Sequence, residues 1–186
     1  MKKTNLRLLP SPSDGPPEPD ADPEEVARTI CLRMLTARPC TRAELATELR
    51  RRHVPDAAAE AVLERFGDVG LVDDRAFAAA WVERQQRRRG LSRRALAEEL
   101  RRKGVGSEEV ADAVAVVTDD DERTRARAIV DRKLHGVRAL PYDKAVARLV
   151  GALARKGYGA GLAYAVVREA LGGGTPDPGD DGFAAF

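Results

Sequence analysis

The sequence predicts an all-α protein made of three tandem three-helix repeats. Alanine, leucine and arginine dominate the 186 residues, and this composition favours helix. No run alternates β-branched and polar residues, so no sheet is expected. A segment of the chain also recurs at a spacing of 51 residues, which is typical of repeat proteins. Stacked repeats form an elongated, curved array, whose hand the sequence does not determine.

The internal repeat is clearest between residues 41–54 and residues 92–105. Eight of the fourteen aligned positions are identical, without a gap. The same offset pairs Ile30 with Trp81 in the helix that precedes each segment. A weaker third copy follows at an offset of 53, and its matching residues are Leu149, Leu153, Arg155, Lys156 and Gly157. Because the agreement extends across neighbouring helices, we interpret it as three copies of one structural unit.

Proline, glycine and charge divide the chain into five segments. We predict a disordered tail rich in proline and acid, three repeats, and a second disordered tail rich in glycine and aspartate, at 1–23, 24–70, 71–118, 119–171 and 172–186. Within the repeats the predicted helices are 24–37, 41–52, 56–66, 73–88, 92–103, 107–117, 119–135, 143–156 and 160–171. The apolar residues expected to form the cores are Leu45, Leu49, Phe77, Trp81, Leu96, Leu100, Leu149 and Leu153.

Several polar residues are placed to begin helices. Asp73 can accept hydrogen bonds from the first turn of the helix that follows it. Thr41 and Glu44 have the spacing of a capping box. Ser92 and Ser107 stand at predicted helix starts, where we expect N-caps.

The net charge of +2 conceals an uneven distribution. Residues 1–25 and residues 172–186 each carry −3, so residues 26–171 carry +8. A basic body between acidic ends suggests a polyanionic partner or an acidic protein surface. The alternative from charge alone is a solvated helical surface.

The chain lacks the groups that an enzyme or a metal site would need. His53 and His135 belong to different repeats, and no phosphate-binding glycine motif is present. The acids of residues 119–122 are expected to favour a helix N-terminus rather than to bind a cation. Cys31 and Cys40 form no C-x-x-C pair, so zinc and a disulfide framework are not expected. We therefore predict a protein that is not an enzyme and has no cofactor.

The sequence also indicates where in the cell the protein is expected. No apolar stretch reaches the roughly 18–20 residues of a membrane span. The N-terminus has basic residues but no apolar segment of a secretory signal. We expect a cytoplasmic monomer without a membrane partner.

The main candidate site is the segment of residues 84–103, named here the basic hairpin. It carries nine bases, Arg84, Arg87, Arg88, Arg89, Arg93, Arg94, Arg101, Arg102 and Lys103. Glu98 and Glu99 are its only acids, which leaves a local charge of +7. The guanidinium fork suits phosphate and carboxylate ligands. A helix pair with a short turn could also be a helix-turn-helix, although Leu96 and Leu100 indicate packing rather than base contact.

The second repeat carries a pattern that is specific to one known family. The pattern is Leu71-Val72-Asp73-Asp74, Phe77-Ala78 and Trp81-Val82, then Arg84, Gly90, Leu96, Glu99-Leu100 and Lys103-Gly104-Val105. It resembles the RecX family, small bacterial regulators of the RecA recombinase that are built from tandem three-helix repeats. The resemblance covers residues 26–171 and is weakest in the third repeat, where Ala145 replaces the serine and residues 136–142 are inserted.

The resemblance implies a regulator that binds the RecA–DNA filament, lies in its helical groove and restrains it. ATP hydrolysis, strand exchange and co-protease activity of RecA would fall, which implies a role in DNA repair, homologous recombination and the SOS response. DNA, single- or double-stranded, would be a weak partner. Two alternatives stay open: a DNA-binding transcription regulator of helix-turn-helix type, and a helical scaffold without a nucleic-acid role.

Overall fold

The computed structural model describes residues 22–172, and all of their regular secondary structure is helical. They contain nine α-helices and one 3-10 turn, and no strand. The all-α prediction is therefore confirmed. The two predicted disordered tails lie outside the described residues, apart from Asp22, Pro23 and Gly172.

The helices follow the predicted order, and each end lies within two residues of its prediction. They are α1 (Pro23–Ala37), α2 (Arg42–Arg51), α3 (Asp56–Asp68), α4 (Asp74–Arg89), α5 (Arg93–Arg102), α6 (Ser107–Ala115), α7 (Asp119–Leu134), α8 (Tyr142–Ala154) and α9 (Ala160–Ala170). The 3-10 turn His135–Val137 falls where the third repeat has its insertion. None of the helices in the described part is long and apolar enough to cross a membrane.

Three of the predicted caps are present. The Asp73 carboxylate accepts from the Ala76 N–H at 2.8 Å. The Ser92 hydroxyl accepts from the Ala95 N–H at 3.2 Å. In the predicted capping box, the Thr41 hydroxyl accepts from the Glu44 N–H at 3.1 Å, and the Glu44 carboxylate accepts from the Thr41 N–H at 3.5 Å. Each bond satisfies a backbone donor that the first helical turn leaves without a partner.

Ser107 was predicted to be an N-cap, and this prediction is wrong. Gly106 occupies the cap position, no side chain bonds there, and Ser107 is the first helical residue. The glycine already supplies the extended conformation that a cap requires, with φ −62° and ψ 156°. A capping box that the sequence analysis missed begins α7, where Thr118 and Asp121 bond reciprocally.

The described residues form two compact units. The first contains the residues up to Pro39 together with Leu45–Leu71. In it α1 packs on α3, and Leu45 and Leu49 are fully buried. The second unit contains Cys40–Glu44 and the chain from Val72 onward.

The second unit holds two apolar cores, one for each of its three-helix sets. Helices α4, α5 and α6 surround a core that includes Phe77, Leu96 and Leu100. Helices α7, α8 and α9 surround another that includes Leu149 and Leu153. The four leucines are at most 1% exposed, so each core is anchored by the second helix of its set.

An ion pair joins the first and third helices of every three-helix set. The pairs are Glu24–Arg65 at 2.9 Å, Arg75–Asp112 at 2.6 Å, and Arg123–Glu169. These side chains are between 36% and 66% exposed. Solvent screening makes such pairs worth about 0.2–1 kcal/mol each, so they adjust the packing more than they create it.

Two lysine-glycine turns, Lys103–Gly104 and Lys156–Gly157, pack closely within the second unit. A Cβ on Gly104 would lie 2.2 Å from the Ala43 Cβ, and one on Gly157 would lie 2.6 Å from the Ala95 Cβ. Both glycines have a positive φ, 76° and 87°, a conformation that other residues seldom adopt. Glycine is needed at both turns for its backbone freedom and for its small size.

Hydrogen bonds repeat the same arrangement at both turns. The Lys103 carbonyl accepts from the Thr41 hydroxyl at 2.7 Å. The Lys156 carbonyl accepts from the Ser92 N–H at 3.0 Å. The turn after α5 therefore contacts the residue just before α2, and the turn after α8 contacts the residue just before α5.

Candidate functional site

The basic hairpin consists of the second half of α4, the turn at Gly90 and helix α5. Helix α4 ends because Gly90 takes the left-handed conformation, with φ 58° and ψ 48°. The Ser92 cap then starts α5 two residues later. The turn is fixed from outside the hairpin, because the Tyr158 hydroxyl donates to the Gly90 carbonyl at 3.1 Å. Burial raises the pKa of Tyr158 to about 12, so this hydroxyl keeps its proton at neutral pH.

The aromatic residues of α4 lie at the edge of the core. Phe77 is 9% exposed, and Trp81 is a partly buried neighbour of the same core. Their rings stack with centroids 5.8 Å apart and planes inclined by 17°. Trp81, which was predicted as a core residue, is thus only partly buried, and charged side chains cover part of its ring.

Two cations lie over the Trp81 ring. The Arg84 guanidinium carbon is 4.8 Å from the ring centroid, and the Lys103 ammonium is 4.4 Å from it. The Lys103 ammonium also lies 5.6 Å from the Phe77 centroid and donates to the Glu44 carboxylate at 2.7 Å. Both members of that ion pair are about one-fifth exposed. Lys103 is thus held by an acid and two rings, which gives it a structural role.

Four arginines of the basic hairpin form more exposed ion pairs. The pairs are Arg87–Glu83 at 3.3 Å, Arg89–Glu99 at 2.6 Å, Arg93–Asp119 at 2.9 Å and Arg94–Glu98 at 3.5 Å. Glu83, Asp119 and the Glu44 partner of Lys103 all lie outside residues 84–103. The local charge of +7 therefore overstates the positive charge that the folded surface presents.

Three arginines of the basic hairpin are named here the open arginines. Within residues 22–172, Arg88, Arg101 and Arg102 form no ion pair, and all three are exposed. Arg88 lies near the end of α4, and the other two end α5. The structure thus divides the nine predicted bases into three open arginines, four arginines in ion pairs, and the two cations over the Trp81 ring, Arg84 and Lys103.

The first repeat has a smaller basic segment, in which an acid holds two arginines. The Glu48 carboxylate accepts from Arg51 at 2.7 and 2.8 Å and from Arg52 at 2.7 Å. Hydrogen bonds from Arg51 and then Arg52 lower the pKa of Glu48 to about 2. Glu48 therefore stays charged at neutral pH and neutralises part of this segment.

The fold brings further bases near the hairpin turn, and of these the sequence pointed only to Lys156. The Lys156 ammonium donates to the Arg89 carbonyl. Burial lowers the pKa of Lys156, and the charges of Arg132, Arg89 and Lys133 lower it further. The sequence signal was the recurrence of Arg102, Lys103 and Gly104 as Arg155, Lys156 and Gly157 in the third copy of the repeat.

The described residues do not assemble a metal centre. They contain no group of three or more His, Cys, Asp or Glu side chains placed to hold a metal ion. The acids at 119–122 lie in the first turn of α7, where Asp121 bonds to Thr118. Cys31 and Cys40 are both buried.

Sequence comparison finds relatives that match most of the chain. Family models describe residues 27–66 as the first three-helix domain of RecX and residues 73–114 as the second. A regulatory protein RecX of Thermobifida fusca is 53% identical over 161 residues, 85% of this chain and 87% of the relative. That of Streptomyces coelicolor is 53% identical over 169 residues, 89% and 90% of the two chains. That of Mycolicibacterium smegmatis is 45% identical over 179 residues, 92% and 95%.

Solved structures share the fold. A crystal structure of regulatory protein RecX matches with a TM-score of 0.70 at 21% identity, covering 80% of this chain and 72% of the other. The crystal structure of RecX from Lactobacillus salivarius matches with a TM-score of 0.73 at 17% identity, covering 80% and 96%. The fold is retained although most of the residues differ.

Proposed function

This chain belongs to the RecX family, and on that premise we propose that it binds the RecA–DNA filament and restrains it. RecA ATPase, strand exchange and co-protease activities fall when it binds. The protein acts as a cytoplasmic monomer and carries out no chemistry itself. The observation that supports this proposal most is the set of exposed arginines on the basic hairpin, which the fold leaves available for an anionic partner.

We propose that the nine bases of the hairpin contribute unequally to the filament contact. The open residues Arg88, Arg101 and Arg102 meet the partner directly. The exposed, weakly paired residues Arg87 and Arg94 join them, because a surface ion pair worth about 0.2–1 kcal/mol is easily exchanged for another. Arg84, Arg89, Arg93 and Lys103 contribute mainly by fixing the shape of the hairpin.

Carboxylates of RecA are the main partners of these arginines in our proposal. The guanidinium fork bonds carboxylates in a bidentate manner, and the DNA of such a filament is largely enclosed by protein. Carboxylate contacts lack the release of condensed counterions that accompanies phosphate contacts. Binding should therefore weaken gently with salt, without the slope of about −0.7 per contact that single-stranded DNA gives.

The test is the ATPase rate of RecA on single-stranded DNA while this protein is titrated in. We expect the rate to fall as the protein concentration rises. A transcription regulator of helix-turn-helix type would leave the rate unchanged and bind duplex DNA sequence-selectively, and a scaffold would do neither. Either of these results would contradict the proposal.

A further inference from the structure

Two residues of the third three-helix set fasten the turn of the basic hairpin. The Tyr158 hydroxyl donates to the Gly90 carbonyl, just beyond the end of α4, at 3.1 Å. The Glu122 carboxylate accepts from the Arg93 N–H, at the start of α5, at 2.8 Å. Tyr158 is only 3% exposed, so water does not readily replace its hydrogen bond. The end of α4 and the start of α5 are therefore each held from outside the hairpin.

Close packing restricts the same turn. A Cβ on Gly157 would lie 2.6 Å from the Ala95 Cβ and equally close to the Ser92 Oγ. The turn after α8 thus touches the start of α5. A Cβ on Gly90 would lie 3.3 Å from the Ile129 Cδ1, which brings the hairpin turn against α7. The hairpin turn therefore cannot shift without disturbing α7 or the turn after α8.

The open arginines depend on this turn for their spacing. Arg88 lies near the end of α4, whereas Arg101 and Arg102 lie at the far end of α5. The ten residues of α5 extend about 15 Å from the bond to Arg93, so a tilt of about 10° there would move the last two arginines by about 2–3 Å. The atoms of a charged hydrogen bond lie only about 2.7–2.9 Å apart. A movement of this size would therefore break such a bond to a partner.

We propose that Tyr158 and Glu122 are positioning residues for the filament contact. They hold the two helices of the basic hairpin at one angle, so that the three open arginines meet the same partner together. Neither residue touches the partner itself, because the Tyr158 ring is buried and the Glu122 carboxylate is bonded to backbone. The inference rests on the proposed function, since it concerns the same arginines. The third three-helix set thereby contributes to a contact for which it supplies none of the open arginines.

Holding the arginines in place lowers the free-energy cost of binding. Side chains and segments that become ordered only on association add to that cost, and a rigid arrangement in the free protein avoids part of it. Without Tyr158 or Glu122 the turn would be held less firmly. Helices α4 and α5 would still share their own core, which includes Phe77, Leu96 and Leu100. Weaker inhibition without unfolding is therefore the expected result.

The test is the concentration of protein that halves the RecA ATPase rate on single-stranded DNA. The variant Y158F removes the donated hydrogen bond and keeps the buried ring. Its control, Y164F, removes the same hydroxyl from a tyrosine that is 50% exposed on α9. We expect Y158F to need roughly threefold more protein than the wild type, the order of effect of one lost hydrogen bond, and Y164F to need the wild-type amount.

At Glu122 a conservative variant can be compared with a truncated one. E122A removes the acceptor of the Arg93 N–H, whereas E122Q keeps an oxygen that can accept the same bond. Both variants raise the net charge by one, so charge does not distinguish them. We expect E122A to inhibit RecA roughly threefold more weakly than the wild type and E122Q to recover most of that loss. An E122Q variant as weak as E122A would contradict the positioning role of Glu122.

The same changes in a protein without the open arginines separate positioning from general stability. A positioning residue acts only through the residues that it positions. Y158F and E122A should therefore have no further effect when they are added to R88Q/R101Q/R102Q. Equal fold-changes with and without the open arginines, or no change in either protein, would overturn the proposal.

The wild-type titration tests the proposed function separately. If the wild type inhibits RecA, and Y158F and E122A inhibit it equally well, only the positioning role is wrong. If the wild type does not inhibit RecA, the proposed function is wrong and the positioning role is wrong with it.

Discussion

Lys103 differs from the arginines of the basic hairpin in what surrounds it. Its ammonium bonds to Glu44 at 2.7 Å and lies over the rings of Phe77 and Trp81. The arginines are mostly exposed, and within the described residues each forms an ion pair with one acid or with none. Removing Lys103 would take from Glu44, about one-fifth exposed, the ammonium to which it bonds. Lys103 therefore contributes more to the stability of the fold than to the binding of a partner.

We predict that Lys103→Met lowers the free energy of unfolding by about 1–2 kcal/mol, from the lost charged hydrogen bond and cation–π contacts. The measurement is urea unfolding followed by circular dichroism. The double variant K103M/E44Q should cost less than the two single changes added together, since the Lys103 ammonium and the Glu44 carboxylate bond to each other. A single variant as stable as the wild type would show that Lys103 is an ordinary surface residue.

The sequence correctly predicted hydrogen bonds between residues that are close together along the chain. Asp73, Ser92 and the Thr41–Glu44 box bond within three residues of themselves, and spacing along the chain reveals such bonds. The partner of Lys103 is 59 residues away, and nothing in the local pattern points to it. For the same reason a count of charges within residues 84–103 overstated the net charge of the hairpin.

At the scale of the elements, the two lysine-glycine turns set how the second unit packs. Each turn places a glycine with positive φ where a Cβ would collide with an alanine. The sequence showed the recurrence of Gly104 as Gly157 in the third copy of the repeat. It did not reveal the close approach, because that depends on residues far away along the chain, such as Ala43.

We predict that Gly104→Ala destabilises the second unit by about 2–4 kcal/mol, combining left-handed strain with overpacking. The double variant G104A/A43G removes the Cβ at 2.2 Å, and the next atom of residue 43 is 3.7 Å away. It should therefore cost less than the two single changes added together. Thermal unfolding measures all three. Additive losses would mean that the turn moves away and the contact is unimportant.

At the scale of the whole molecule, the fold class could be predicted because three signals all indicate helices in tandem repeats. These signals are the helical periodicity, the glycines and prolines between the helices, and the internal repeat. The candidate site was less accessible to sequence reasoning. Its residues were named correctly as bases, but their availability depends on acids such as Asp119 that tertiary structure brings near.

The open arginines of the basic hairpin form the centre of the proposed filament contact. The variant R88Q/R101Q/R102Q neutralises all three, and glutamine keeps good helix propensity. The control K144Q/R148Q/R168Q removes the same charge from exposed positions on α8 and α9. Native helicity of both variants, checked by circular dichroism, makes the comparison valid.

The most direct measurement is the concentration of protein that halves the RecA ATPase rate on single-stranded DNA. We predict that R88Q/R101Q/R102Q needs roughly tenfold more protein than the wild type, equivalent to about 1.4 kcal/mol of lost binding, whereas the control needs the wild-type amount. If the hairpin variant inhibits RecA at wild-type concentrations, these arginines are a solvated surface and the proposed filament contact is wrong.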